Sequence, residues 1–459
     1  MNERYDAVIL GAGQAGPPLA VRLAQAGRKT AIIERKMVGG TCVNNGCIPT
    51  KTLIASARAA HLARRGGDYG VMIDAPIRVD MARVKQRKDA VVDNSVTNLT
   101  RWLANIPNLT MISGQARFES SKTVRVGDKL VEAEQFFINV GGRASVPEMP
   151  GITDVPYLNN STMMHVDFLP EHLVIVGGSY IGLEFAQMYR RFGSRVTVIE
   201  MGPRVIARED DDVSAAIQTI LEAEGIAFRL NAKCVALAPG GKGVMVQVSC
   251  DEEPREIEGS HVLLAVGRVP NTADLDLDKA GVTTDARGYI TVDDQLRTNV
   301  SGIWALGDVN GRGAFTHTSY NDYEIVAANL LDGESRRVTE RIPTYALFID
   351  PPLGRAGMTE KEVRASGRKA LVATMPMTRV GRAKERGETQ GFMRVLVDAE
   401  TKRIIGVSLL GIEGDETVHS LLDVMYAGVP YTVIQRAMHI HPTVTELIPT
   451  LLGDLKPLA

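Results

Sequence analysis

The hydrophobic pattern at the start of the chain predicts a strand, a tight turn, a helix and a second strand. Residues 7–10 (AVIL) form a short apolar run, and apolar residues then recur at helical spacing until Gly27. A second apolar run, residues 30–33 (TAII), ends at Glu34. Between the first run and the helix stand the glycines of a GxGxxG pattern: Gly11, Gly13 and Gly16. These glycines alone are a weak signal, but together with the flanking strands, the helix and the acid they are typical of a dinucleotide-binding unit.

The same pattern recurs farther along the chain. Residues 173–176 (LVIV) precede Gly177, Gly182 stands at the third glycine position, and Gly193 ends the helical stretch before Glu200. In both units the glycine that ends the helix follows the first glycine by 16 positions, and the acid follows it by 23. This agreement predicts two dinucleotide-binding units in one chain. The alternative is a pair of α/β crossovers that bind nothing.

Two residues of the second unit bear on which nucleotide it binds. Ser179 replaces the second glycine, and its hydroxyl can contact phosphate, so we expect binding to be shifted rather than lost. A carboxylate at the position of Glu200 accepts hydrogen bonds from ribose hydroxyls and repels a 2′-phosphate. Glu200 therefore predicts a preference for NADH over NADPH, which the nearby Arg195 and Arg204 weaken.

Two cysteines, Cys42 and Cys47, follow the first unit within residues 39–51 (GGTCVNNGCIPTK). Their nearness to a predicted nucleotide site favours a redox disulfide over a structural one. A zinc site would need two further ligands at suitable spacing, and none is present, so we predict no metal site. Two unrelated buried thiols remain the other alternative. A helix is predicted from Thr50 onward, with Lys51 on the same face as Cys47, where its charge would stabilise a thiolate.

Composition and charge narrow the class of protein. The 459 residues predict two to four domains, and 44% hydrophobic with 23% charged residues is typical of a globular chain. A net charge of -2 shows no excess of positive charge that would indicate binding to nucleic acid. We find no apolar run of about 18 residues and no signal peptide, so we expect a cytoplasmic protein without membrane contact. Cys234 and Cys250 are interpreted as small buried apolar residues.

A histidine near the C-terminus is a candidate acid or base. Pro442 suits the first turn of a helix, which would place His441 just before that helix. Glu446 then lies a little over one turn farther on, where it can orient the imidazole. A histidine held by a carboxylate is a good acid/base catalyst. For His439 we expect only an ordinary satisfied or exposed side chain.

The segment GGTCVNNGCIPTK closely resembles the active-site segment of the class I FAD-dependent pyridine nucleotide–disulfide oxidoreductases. The resemblance covers essentially the whole chain. Residues 47–53 (CIPTKTL) are similar to the mercuric-reductase-like and reactive-chlorine resistance branch of that family. Four further segments match family motifs in the family's order: residues 177–184 (GGSYIGLE), 265–271 (AVGRVPN), 302–309 (GIWALGDV) and 441–446 (HPTVTE).

The resemblance implies an α/β fold with two Rossmann-like dinucleotide-binding domains and a C-terminal α+β dimerisation domain. Residues 1–150 would begin the FAD-binding domain, 151–271 form the NAD(P)-binding domain, 272–344 complete the FAD-binding and central part, and 345–459 form the dimerisation domain. The implied FAD- and NAD-binding residues are Gly11, Gly13, Gly16, Glu34, Gly40, Thr41, Lys51, Gly141, Asp308, Gly177, Ser179, Gly182, Glu200 and Gly267.

The resemblance also implies catalytic roles. Cys47 would lie beside the flavin, and Cys42 would be the interchange thiol that meets the substrate. Lys51 and Glu184 would pair near the flavin and nicotinamide, and Tyr180 would cover the flavin until NADH displaces it. The implied acid/base pair, which would reach the disulfide of the other subunit of a homodimer, is His441 and Glu446.

The expected reaction passes electrons from NADH through FAD and the dithiol to a small disulfide or a metal ion. No cysteine follows Cys250, so we expect the acceptor to come to Cys42 itself. Dihydrolipoamide dehydrogenase is the alternative, and Glu200 fits it better than it fits glutathione reductase. Two other classes stay open. An NADH oxidase or peroxidase would typically use a single redox cysteine, and a redox sensor or structural subunit would turn over slowly.

Overall fold

The first nucleotide-binding unit has a largely parallel sheet at its centre. The computed structural model describes residues 2–241, 243–249 and 255–458, so Cys250 lies outside the described residues. The elements are β1 (Asn2–Leu10), α1 (Gly16–Gln25), β2 (Thr30–Glu34), α2 (Gly40–Asn44), α3 (Cys47–Arg64), α4 (Met81–Ala104), β3 (Leu109–Ser113), β4 (Ala116–Ser120), β5 (Thr123–Val126), β6 (Lys129–Ile138) and β7 (Gly142–Ala144). The strand order is β3-β2-β1-β6-β5-β4.

Burial on both faces explains why the strands of this sheet are continuous apolar runs. Residues 7–10 are buried in β1, and β1 pairs in parallel with β2 and β6. Helix α1 ends at Gln25, and Gly27 follows it with a φ of 83°, a conformation that glycine adopts readily. The predicted strand, turn, helix and strand are therefore confirmed.

The second unit repeats this arrangement. Its elements are β8 (His172–Val176), α5 (Tyr180–Phe192), β9 (Arg195–Ile199), α6 (Asp211–Ala223), β10 (Ala227–Arg229), β11 (Cys234–Gly240), β12 (Gly243–Ser249), β13 (Glu256–Gly259), β14 (His261–Leu264) and β15 (Arg268–Pro270). A parallel sheet has the order β10-β9-β8-β14, and β11, β12 and β13 form an antiparallel sheet beside it. Gly193 ends α5, as the sequence predicts, and Cys234 begins β11.

The chain then returns to the first unit. The elements of this return are α7 (Leu277–Ala280), β16 (Ile303–Ala305) and α8 (Thr316–Leu331). Strand β16 pairs in parallel with β6 and so extends the first sheet. Residues on both sides of the second unit therefore build the first nucleotide-binding unit together.

The C-terminal domain is an antiparallel sheet packed with short helices. Its elements are β17 (Thr344–Leu347), β18 (Leu353–Gly357), α9 (Glu360–Ala365), β19 (Ala370–Pro376), α10 (Gly381–Glu385), β20 (Phe392–Asp398), β21 (Ile404–Leu410), α11 (Gly414–Tyr426), α12 (Thr432–Gln435), α13 (Ile448–Gly453) and β22 (Lys456–Pro457). The strand order is β17-β18-β21-β20-β19-β22. The α/β fold with two Rossmann-like units and an α+β C-terminal domain is confirmed.

The prediction that Pro442 lies in the first turn of a helix is wrong. Pro442 follows a cis peptide bond from His441 and precedes a 3₁₀ turn that begins at Thr445. Thr443 makes the turn instead, because its hydroxyl donates to the carbonyl of Ile440 and accepts from the N–H of Glu446. Within the described ranges, no helix is both long enough and apolar enough to cross a bilayer.

Candidate active site

A connected cavity of about 2110 Å³ runs along the carboxyl ends of the central strands in both nucleotide-binding units. Most of the residues that the sequence singles out line this cavity. They are Gly11, Gly13, Glu34, Gly40, Thr41, Cys42, Cys47, Lys51, Gly141, Gly177, Ser179, Tyr180, Glu184, Glu200, Gly267 and Asp308. Gly16 and Gly182 lie behind it, where a Cβ would approach the carbonyl oxygens of the first glycines to 2.3 Å and 2.0 Å respectively. These two glycines thus allow close packing of helix on strand rather than contact with a ligand.

The first glycine turn is held by side chains from distant parts of the chain. The Glu34 carboxylate accepts a hydrogen bond of 2.8 Å from the N–H of Ala12. Asn139 accepts one of 3.1 Å from the N–H of Gly16 and donates one of 3.0 Å to the carbonyl of Leu306. Asn139 therefore ties the turn to the segment that carries Asp308, a role that no local motif marks.

The first half of the cavity fits FAD. A Cβ on Gly40 would lie 2.9 Å from the Cα of Gly13, so the two glycines allow their backbones to pack closely at the cavity wall. A Cβ on Gly141 would meet nothing within 4 Å and would project into open cavity. Asn44 also lines this region, and its buried Oδ1 has no hydrogen-bond partner. Bare glycine backbone and the acid Glu34 suit a long dinucleotide.

Asp308 lies in this half of the cavity beside Arg268. Burial raises the pKa of Asp308, and the nearby guanidinium of Arg268, with Nε 3.4 Å from Oδ2, opposes that rise. The carboxylate is thus half-buried and held by one cation, which leaves it able to accept hydrogen bonds from a hydroxyl-rich chain.

The second half of the cavity contains Glu200 in a turn of backbone N–H groups. Its carboxylate accepts hydrogen bonds of 2.7 Å from Gly178 and 2.8 Å from Gly202. These two hydrogen bonds hold the Glu200 carboxylate at the cavity wall. Ser179 precedes α5, and its side chain makes no capping hydrogen bond.

The basic residues that line this half of the cavity are not the ones closest to Glu200 in sequence. Arg204 pairs with Asp211 at 3.0 Å, and neither Arg204 nor Arg195 lines the cavity. Arg208, Lys233 and Arg255 line it instead. All three lie in segments without a motif, so sequence reasoning missed them.

The two thiols lie in adjoining helices. Cys42 is in α2, Cys47 is the first residue of α3, and both are free thiols. A hydrogen bond from Cys42, a second from Thr316 at 3.2 Å, and the charge of Lys51 lower the pKa of Cys47 to about 6, against the opposing effect of burial. Hydrogen bonding to Cys47 and burial raise the pKa of Cys42. Cys47 is therefore the thiol that ionises first.

Lys51 and Glu184 form the predicted ion pair. The Lys51 Nζ lies 2.7 Å from Glu184 Oε2 and 4.4 Å from the ring centroid of Phe348. Glu184 is buried, and its other oxygen accepts a hydrogen bond of 3.1 Å from the N–H of Phe348. The pair therefore lies where the two halves of the cavity and the C-terminal domain meet.

His441 and Glu446 pair with each other but lie apart from the thiols of the same chain. His441 Nδ1 is 2.8 Å from Glu446 Oε2, the His441 side chain is 81% exposed, and neither residue lines the cavity. The imidazole is thus oriented and open to a second molecule.

Comparison with known proteins agrees with this geometry. The model of the pyridine nucleotide-disulphide oxidoreductase family matches residues 5–322, and the model of its dimerisation domain matches residues 343–452. The Escherichia coli protein described as probable pyridine nucleotide-disulfide oxidoreductase RclA is 39% identical over 99% of this chain and 100% of its own. A solved Cu(II) complex of RclA superposes with a TM-score of 0.89 at 38% identity, covering 99% of each chain.

Relatives with other names also match along most of their length. A dihydrolipoyl dehydrogenase of Haloferax volcanii is 33% identical over 96% of this chain and 94% of its own. A mercuric reductase of Streptomyces lividans is 30% identical over 97% of this chain and 94% of its own.

Two nucleotide clefts that meet at a dithiol define a flavin-dependent dithiol oxidoreductase as the class of enzyme. The chain belongs to the pyridine nucleotide-disulphide oxidoreductase family, in the RclA branch. Enzymes of this family bind FAD and use pyridine nucleotides. The dimerisation domain supports a homodimer.

Proposed function

We propose that this enzyme oxidises NADH and delivers the electron pair through the Cys42–Cys47 dithiol to a small disulfide or a metal ion. The observation that carries this proposal is the lowered pKa of Cys47 at the junction of the two clefts, beside the Lys51–Glu184 pair. Because its pKa is low, Cys47 is a good leaving group when the disulfide is reduced, and it remains a thiolate afterwards.

The residues of the first half of the cavity would hold FAD. The N–H groups of the first glycine turn would meet the pyrophosphate, Glu34 would accept from the adenosine ribose, and Asp308 would accept from the ribityl hydroxyls. Gly40, Thr41 and Gly141 would border the same cofactor. When bound, FAD would supply the hydride and electron chemistry that links a reduced nicotinamide to the disulfide.

The second half would bind NADH in preference to NADPH. Glu200 is held by two N–H groups and still lines the cavity, so one face of the carboxylate can accept from ribose hydroxyls. Ser179 and Gly267 would border the phosphates and nicotinamide. Lys233 and Arg208 moderate the preference, because either cation could meet a 2′-phosphate.

The two thiols would have different roles in the reaction. An electron pair opens the Cys42–Cys47 disulfide, Cys47 stays as the thiolate stabilised by Lys51, and Cys42 becomes the nucleophile. Cys42 gives its proton to His441 of the partner subunit and attacks a disulfide acceptor, and the acceptor sulfur that leaves takes that proton from His441. Attack by Cys47 on the mixed disulfide then releases the second acceptor sulfur as a thiolate, which takes a proton from solvent, and restores Cys42–Cys47. A metal ion would take electrons from the same dithiol.

Two acceptor classes have specific support. Membership of the RclA branch, with a relative solved as a Cu(II) complex, favours a metal ion or a general disulfide. The position of Glu200 and the similarity to a dihydrolipoyl dehydrogenase favour lipoamide as the second candidate. We also propose the segment limits 1–150, 151–271, 272–344 and 345–459 for the domains of this enzyme.

The test is steady-state oxidation of NADH by the FAD-loaded enzyme with lipoamide, glutathione disulfide, Cu(II) and Hg(II). Cys42→Ser serves as the matched variant, because it keeps both nucleotide clefts and removes the interchange thiol. We expect at least one acceptor to support turnover that Cys42→Ser loses by more than about 100-fold, as expected when a covalent step is removed. Absence of acceptor-dependent turnover in the whole panel would contradict the proposal.

A further inference from the structure

We propose that Glu209 is a positioning residue that holds Tyr180 in place and ties its movement to the C-terminal domain, a role that rests on the proposed nicotinamide site. Glu209 precedes α6, its side chain is 0% exposed, and no sequence motif marks it. A carboxylate buried this completely requires partners of its own, because an isolated buried charge is very costly. Those partners reveal its role.

Two phenols share one oxygen of the Glu209 carboxylate. Tyr345 donates to Oε1 at 2.6 Å, and Tyr180 donates to the same oxygen at 3.1 Å. The two tyrosine rings also meet edge to face, with centroids 5.6 Å apart. Tyr180 is therefore anchored by a longer hydrogen bond than Tyr345, on an acceptor that both use.

The other oxygen of Glu209 faces a buried cation of the C-terminal domain. Arg355 Nε lies 3.1 Å from Oε2, in an ion pair that lacks the alignment of a hydrogen bond. The Arg355 guanidinium is itself held, since it donates to the carbonyl of Val407 at 2.7 Å. Tyr345 and Arg355 are directly opposite each other on β17 and β18, so neighbouring strands present both to Glu209.

The residues after Glu209 fasten the same segment to the C-terminal domain. The Asp210 carboxylate accepts from the N–H groups of Glu360 and Lys361, both at 3.0 Å. Asp212 accepts from Arg394 at 3.1 Å. The contacts of Asp210 and Asp212 thus fix this segment to the C-terminal domain, and the position of Glu209 does not depend on Tyr180.

Glu209 is held by Tyr345, Arg355 and its own segment, whereas Tyr180 is held by one longer hydrogen bond. Tyr180 can therefore move while Glu209 stays in place. When Tyr180 leaves, Glu209 keeps the shorter hydrogen bond from Tyr345 and the charge of Arg355, so Glu209 itself loses one hydrogen bond. Tyr180 lines the cavity, and its ring also touches that of Phe315 edge to face at 6.2 Å between centroids. A nicotinamide that displaces Tyr180 must therefore break the hydrogen bond from Tyr180 to Glu209, which weakens its binding. Binding of the adenosine part of the same dinucleotide does not break this bond.

The test compares two ligands at equilibrium. The FAD-loaded homodimer binds NAD⁺, which carries a nicotinamide, and ADP-ribose, which lacks one, and both dissociation constants are measured by calorimetry. We expect Tyr180→Phe to bind NAD⁺ about tenfold more tightly, the effect of one hydrogen bond to a charged acceptor, with ADP-ribose unchanged. Glu209→Gln should act in the same direction, because a neutral amide oxygen is a weaker acceptor.

Two further variants separate positioning from a general structural effect. In Tyr180→Phe/Glu209→Gln, the tightening should not exceed that of Tyr180→Phe alone, because both changes act on one hydrogen bond. Tyr189→Phe, on the same helix but away from the cavity, should leave the NAD⁺ to ADP-ribose ratio unchanged. If Glu209→Gln fails to fold, Tyr180→Phe against Tyr189→Phe still decides, because both leave the Glu209–Arg355 pair intact.

The outcomes that overturn the role of Glu209 are distinct from failure of the proposed function. Additive tightening in the double variant, or equal tightening of ADP-ribose, would contradict positioning through Tyr180. An unchanged NAD⁺ affinity in Tyr180→Phe would contradict it too. Absence of turnover with every acceptor would instead reject the proposed function, while the ratio of affinities would still report on Glu209.

Discussion

Lys51 Nζ lies 2.7 Å from Glu184 Oε2, and this contact joins the helix that begins at Cys47 to the helix that begins at Tyr180. The two helices belong to different nucleotide-binding units. A charged pair between them therefore fixes the thiol-bearing helix against the proposed nicotinamide site. Its two charges act on the Cys47 thiol in opposite directions.

Cys47 should react as a thiolate well below the pH at which an ordinary thiol does. Its pKa of about 6 comes first from the Cys42 hydrogen bond, so Cys42→Ala should raise that pKa. The measurement is the rate of iodoacetamide alkylation of the reduced enzyme against pH, read at Cys47 by mass spectrometry. A midpoint above pH 8 in the wild type would contradict the assignment of Cys47 as the stabilised thiolate.

Lys51 and Glu184 should shift the same alkylation profile in opposite directions. Lys51→Met removes a cation that lowers the pKa of Cys47, so the midpoint should rise. Glu184→Gln removes an anion that raises it, so the midpoint should fall. Lys51→Arg keeps the charge and is the matched control. Shifts of the same sign in Lys51→Met and Glu184→Gln would show that the pair acts through structure rather than charge.

Glu200 should set the choice between nucleotides. Glu200→Gln keeps the side-chain size but removes the charge that repels a 2′-phosphate. We expect the ratio of kcat/KM for NADH over NADPH to fall about tenfold or more, corresponding to about 1.4 kcal/mol. Lys233→Gln, which removes a cation from the same cavity wall, should raise the ratio. A wild-type preference for NADPH would contradict the reading of Glu200.

Asp350 should stabilise the joint between the second unit and the C-terminal domain. It pairs with Arg191 and Arg58, and these cations hold its pKa below the ordinary value although burial alone would raise it. Asp350→Asn leaves Arg191, only 6% exposed, with one fewer anion, so we expect a loss of about 3 kcal/mol at neutral pH.

The pH dependence of that stabilisation follows from the sign of the shift. A carboxyl whose folded-state pKa is lowered contributes above its unfolded pKa of about 4 and loses the contribution as the pH falls further. The thermal midpoint difference between wild type and Asp350→Asn should therefore shrink below about pH 4. Glu134→Gln, in exposed pairs with Arg4 and Lys122, is the control and should leave the thermal midpoint nearly unchanged at every pH. A similar loss in both variants would contradict the role given to Asp350.

The nucleotide-binding units could be predicted because their signals are local. Gly11 and Gly177 lie in tight turns with φ of 100° and 114°, next to buried apolar strands, and these requirements are written into a few consecutive residues. The same is true of Cys47 and Lys51, which one helical turn brings together. The placement of Pro442 failed because Thr443 could supply the turn that the proline was expected to begin.

Other parts of the site depend on residues that are distant in sequence. Thr316 meets Cys47 across 269 positions, and Glu209 meets Tyr345 across 136. Neither contact has a local pattern, because a single hydroxyl or carboxylate carries no periodicity. Arg204 illustrates the converse, since it is close to Glu200 in sequence but pairs with Asp211 away from the cavity.

Short-range spacing and backbone requirements were enough to predict the two nucleotide-binding units, the dithiol with its lysine, and the family. The hydrogen bond between Cys47 and Thr316, and the Glu209 carboxylate that holds Tyr180, became visible only in the folded chain. A pKa depends on the charges and hydrogen bonds within a few ångströms in space. Here those groups come from helices and strands of all three parts of the chain, which packing alone brings together.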